Sequence, residues 1–101
     1  MIAMTLALAA MPAQQCPKIE IHASHFGGTS GYMILEVSAV PDPQNVEMIL
    51  WEVSAGRVTK QEGLGATIEA PKGTRITAKV ELAGMTPESC DPTASTTFEM
   101  P

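Results

Sequence analysis

From residue 17 onward, apolar and polar residues alternate with a period of two in short runs, each closed by Gly, Pro, Asn, Asp or Ser. That pattern predicts half-buried β-strands, because successive side chains of a strand point to opposite faces. In "KIEIHA", Ile19, Ile21 and Ala23 share one side while Lys18, Glu20 and His22 share the other. "YMILEVSAV" sets Met33, Leu35, Val37 and Ala39 against Glu36 and Ser38, and "RITAKVELA" sets Ile76, Ala78, Val80 and Leu82 against Arg75, Thr77, Lys79 and Glu81. "VEMILWEVSA" is the most apolar run and reads as a central strand with both faces partly covered. "RVTKQ" reads as a short polar strand returning along an edge, "ATIEA" turns Ile68 inward, and "ASTTFEM" buries Phe98. "HFGGTSG", "PDPQN", "EGLG" and "GMTPESCDP" are connections; the two prolines of "PDPQN" cannot donate to a ladder.

About seven short strands at intervals of roughly ten residues predict an all-β, antiparallel two-sheet sandwich, since each strand has one apolar face to bury. A chain of 101 residues suits one domain with one modest core. Only 4% of residues are aromatic although 45% are hydrophobic, so that core must be aliphatic. The formal net charge is −5, and the basic residues Lys18, Arg57, Lys60, Lys72, Arg75 and Lys79 are scattered. No basic stripe exists for a nucleic-acid partner, and an acidic surface argues against docking on anionic lipid.

The first thirteen residues read differently. "MIAMTLALAAMPA" is apolar and Ala-rich, too short for the ~20 residues of a bilayer span and of the length of a signal-peptide apolar region. No Lys or Arg precedes it, and a buried N-terminal helix is the competing reading. Cleavage near Ala13 would leave residues 14–101 as the mature domain, without a membrane span. The two cysteines, Cys16 and Cys90, are read as one disulfide, as expected of an even pair in an exported domain. Free buried thiols are the alternative, and a zinc site lacks further cysteines.

"ILWEVSAGRVTKQEGLGATIEAPKGTRITAKVEL", residues 49–82, resembles the Ig-like and PKD-like modules of bacterial exported proteins. In those modules a strand ends in W-x-V-S-A-G, here Trp51, Val53, Ser54, Ala55 and Gly56. A Gly-rich turn (Gly63, Gly65) then leads to a short strand with Thr67 and Ile68, and an alternating strand carries Ile76, Thr77, Ala78 and Val80. The resemblance extends over most of residues 16–100. It implies an Ig-like sandwich in which Trp51 packs across the core beside Leu35, Val37, Ile76 and Ala78. The W-x-F-G-D-G signature of PKD domains is replaced by "WEVSAG", so its acidic turn does not carry over.

Chemistry-bearing constellations are sparse. His22 and His25 lie three apart and would face opposite ways on a strand, so a copper site built from them and a methionine is the secondary reading. The serines sit in no G-x-S-x-G elbow. The glutamates occupy the polar phase of strands, and "FGGTSG" lacks the lysine of a phosphate loop. Phe26, Tyr32 and Met85, on two of the connections, are candidate anchors of a ligand surface. The expectation is therefore a monomeric, non-catalytic module without a cofactor, exported to the periplasm or cell surface, that holds a protein or carbohydrate. The alternatives are a periplasmic copper-binding protein and an accessory domain of a larger secreted enzyme.

Overall fold

The alternation gives every strand one apolar face, and a computed structural model, which describes residues 16–25 and 30–101, shows how those faces are covered. Seven strands form: β1 (Lys18–Ser24), β2 (Tyr32–Val40), β3 (Met48–Val53), β4 (Arg57–Glu62), β5 (Gly65–Glu69), β6 (Arg75–Ala83) and β7 (Thr93–Glu99). All pairings are antiparallel. One sheet has the order β1-β2-β5-β4 and the other β3-β6-β7, the strand arrangement of a seven-strand immunoglobulin constant-type sandwich. The signal-like segment 1–13 lies outside the described residues.

Register follows from the apolar phase. Leu35 pairs with Ala66 and Met33 with Ile68 in the first sheet, while Trp51 pairs with Val80 and Ile76 with Phe98 in the second. A slip of one residue would turn Glu36 and Thr67 inward, so the pattern fixes the pairing. Leu35, Ile68, Ile76, Ala78 and Val80 have no exposed surface. The core has two clusters, one around Leu35, Ile68, Ile76 and Met100, the other around Val37, Val80, Leu82, Met85 and Cys90. Trp51 and Ile21 pack against both, and Phe98 packs against the first. Trp51 thus joins the clusters with one face of a half-buried ring, although its buried indole N–H has no hydrogen-bond partner. An orphaned donor of that kind costs about 1–3 kcal/mol, which the area buried by the ring offsets.

One expectation fails in an informative way. The most apolar run does not form a central strand: β3 is an edge of the three-stranded sheet. Ile49, Trp51 and Val53 face inward, while Met48 and Leu50 are 57% and 44% exposed on the outer side. An uninterrupted apolar run has no period-two signal, so it cannot distinguish a strand covered on both faces from one that carries apolar residues on an open face.

Cys16, ahead of β1, and Cys90, ahead of β7, form a disulfide with Cα atoms 5.3 Å apart and a sequence separation of 74. Since β1 and β7 belong to different sheets, the bond ties the two layers at one end. It contributes about 4 kcal/mol if its effect is the lost entropy of the unfolded loop. Immediately beyond it, the Thr93 N–H and hydroxyl both donate to Asp91 Oδ1, at 3.0 and 2.6 Å, and aim the chain into β7. The Thr93 hydroxyl first, and its N–H second, hold the Asp91 carboxyl below the usual aspartate range.

Three outcomes follow for stability. Ile76→Ala should lower the unfolding free energy by about 2–5 kcal/mol, read by denaturant titration of the fluorescence of Trp51. Reduction of the disulfide should lower it by about 4 kcal/mol in the same assay. Because the folded carboxyl of Asp91 is depressed, its ionised form adds stability above the ordinary aspartate range, and this is lost as pH falls through the lower folded value. An NMR titration should place the Asp91 midpoint below that of the unfolded chain.

Candidate functional site

The disulfide end of the sandwich gathers the β2–β3 connection, the β4–β5 hairpin and the β6–β7 connection. The hairpin has a two-residue loop, Gly63-Leu64, between Glu62 and Gly65, which pair directly. Gly63, at φ +55°, occupies the first central position, where a type II′ turn needs glycine. Leu64 takes the second and is 53% exposed, yet its carbonyl accepts the Val37 N–H at 3.0 Å, which folds the loop against β2.

The facing wall is the β2–β3 connection, residues 41–47, and it is held from below. Thr86 N–H donates to the Gln44 carbonyl at 3.0 Å, Asn45 Nδ2 donates to Thr86 Oγ1 at 3.2 Å, and Glu47 N–H donates to the Ala83 carbonyl at 2.8 Å. Gly84, at φ +87°, permits this approach: a Cβ there would lie 2.9 Å from both the Asn45 carbonyl oxygen and Glu47 Cγ. The β6–β7 connection that supplies Thr86 is in turn fastened by the disulfide at Cys90. The covalent bond therefore positions the wall through one intervening loop.

Between the walls is an open cleft of about 410 Å³. Its floor is the second core cluster itself, reached at Val37, Ile49 and Leu82, and its sides are Pro43, Val46 and Leu64. Asp42 stands on its lip. A shallower concavity continues it past Glu47 and Met48. A separate one lies on the outer face of the four-stranded sheet, past Glu36, Lys60 and Glu62, where Lys60 Nζ is 3.5 Å from Glu62 Oε2. The cleft and its β3 flank thus combine an apolar lining with two carboxylates, Asp42 and Glu47. Beside it, Gln61 Nε2 donates to the Ile49 carbonyl at 2.6 Å and links the free edges of β4 and β3. A register shift between Val58 and Lys60 bends β4 as well, so the middle of this open seam is guarded against strand pairing.

The residues expected to form a ligand surface do not converge. Tyr32 opens β2 at the far end of the sandwich, where it pairs with Glu69 and meets the His25 ring edge-on at 6.5 Å. Met85 is only 4% exposed and belongs to the second core cluster, because its loop folds back through a Met85 N–H bond to the Leu82 carbonyl. It is core and offers no exposed anchor. Phe26 lies outside the described residues. The two histidines diverge, since His22 Nε2 is 2.9 Å from Ser38 Oγ whereas His25 faces Tyr32, six positions away on β2. Among the described residues, no group of three or more His, Cys, Asp or Glu side chains is placed to share a metal ion.

The cleft residues Leu64, Val46 and Asp42 had one legible signal in the sequence: "EGLG" places leucine where a hairpin loop favours Asn, Asp or Ser. A leucine exposed at a loop tip contributes little to folding, so Leu64→Ser should change the unfolding free energy by no more than about 0.5 kcal/mol. A loss of about 2–5 kcal/mol would make it a core residue. No family model, curated protein or solved structure matches this chain, and the functional reading rests on the site itself.

Proposed function

We propose that the domain is a non-catalytic immunoglobulin-like binding module that works outside the cytoplasm and holds a protein or carbohydrate partner at a cell surface. The observation that carries this reading is the disulfide joining the two sheets at the end of the sandwich that also holds an apolar cleft. A disulfide of this kind belongs to an oxidising compartment, and a cleft lined by the partly exposed Pro43, Val46, Ile49 and Leu64 is a feature that folding alone does not require. The short apolar segment at residues 1–13 and the resemblance to Ig-like and PKD-like modules of bacterial exported proteins point the same way.

Thiol trapping in intact bacterial cells tests the compartment. Acid quenching followed by alkylation of the denatured chain should leave Cys16 and Cys90 unlabelled, in material recovered from the periplasmic or extracellular fraction and shortened near Ala13. A full-length chain recovered from the cytosol with both cysteines alkylated would contradict the proposal.

A further inference from the structure

Resting on the reading of this domain as a binding module, we infer that the cleft at the disulfide end takes an extended protein segment in which an apolar side chain is flanked by Lys or Arg. Charge complementarity selects this occupant. Asp42 on the lip of the cleft and Glu47 on its β3 flank stand with no Lys or Arg among the residues lining either, in a chain whose formal net charge is −5. Lys60 is on the outer face of the four-stranded sheet beside Glu62, so it does not compete with an incoming cation for Asp42 and Glu47.

The same charges disfavour other occupants. A second copy of the chain would bring a like-charged rim against this one, and juxtaposed like charges oppose association. A fatty-acid or anionic lipid headgroup would meet the same repulsion. An oligosaccharide is favoured by aromatic platforms, and no residue lining the cleft is aromatic. A peptide supplies what is missing: an apolar side chain to cover Pro43, Val46, Ile49 and Leu64, and cations for Asp42 and Glu47. The segment is extended because the cleft is a channel between two walls, the β2–β3 connection and the β4–β5 hairpin, which admits a narrow chain. Leu64 and Met48, 53% and 57% exposed on either side, would be covered by its flanks.

The wall carrying Asp42 and Glu47 is fixed through the loop that the disulfide holds, so binding should depend on the oxidised state.

The test uses the full oxidised chain and a random dodecapeptide library displayed on phage. Enriched peptides are synthesised and their affinities measured by fluorescence anisotropy. Their contacts are mapped by chemical-shift changes in the labelled protein. The enriched peptides should carry net positive charge around an apolar residue, with shifts confined to residues near Val37, Val46, Ile49 and Leu64. Affinity should fall about tenfold or more in Leu64→Ser, in the double variant Asp42→Lys/Glu47→Lys, and on reduction, and should weaken as salt rises. Both variants need only keep the wild-type spectrum for the comparison to hold. Enrichment of neutral or acidic peptides, shifts spread over the outer faces, or no enrichment at all would overturn the inference. The broader reading is separated by a glycan array on the same sample. A glycan bound away from the cleft keeps the module reading while removing this occupant, whereas failure of both probes removes both.

Discussion

Everything in this molecule depends on one apolar contact between layers, in which Leu35 and Ile68 of one sheet meet Ile76 and Ala78 of the other with no surface left exposed. With so few aromatic residues, this contact is made of small branched and unbranched aliphatic chains whose burial is worth roughly 1.5–3 kcal/mol each for the larger ones. Trp51 is the exception, a single large ring that bridges both halves of the core at the cost of an unpaired indole N–H. The disulfide acts on the same interface from its end, holding together two layers that share no backbone ladder.

The two sheets differ in width, four strands against three, and their edges meet unequally. On one side β1 lies against β7, and on the other β3 lies loosely along β4, where Gln61 supplies a side-chain link in place of a ladder. Beside that link is the cleft, where the partly exposed Ile49 lies next to the buried Leu82. Of the large exposed apolar residues among those described, Leu64 lines the cleft and Met48 its flank, while Val40 and Leu50 line neither.

Most of the fold was legible because period-two alternation survives wherever one face of a strand is wet. β1, β2 and β6 announced both their limits and their inward phase, and the cysteine pair announced itself by number and context. Pairing order was not written in any local pattern: nothing in "VEMILWEVSA" tells that β3 has only one neighbour, and its apolar outer positions imitated a covered strand. The site was harder still. Met85 is a candidate anchor by sequence and a core residue in the fold, because a connection that folds back onto the core has no periodicity to betray it. Leu64 is marked only by being apolar at a turn position. Asp42 and Glu47 are ordinary in sequence and acquire meaning only when the β2–β3 connection is drawn across from the hairpin by Thr86, Asn45 and the glycine at position 84.

The claim on which fold and function both rest is that β3 is an open edge beside the cleft, not an interior strand. Native-state amide hydrogen exchange of the oxidised chain, followed residue by residue, tests it most directly. Amides of β6, flanked on both sides, should exchange only through global unfolding, while alternate amides of β3 should exchange far faster through local exposure. Uniform protection along β3 equal to that of β6 would contradict the account, because it would require a ladder on both sides of β3 and would leave no open edge for the cleft.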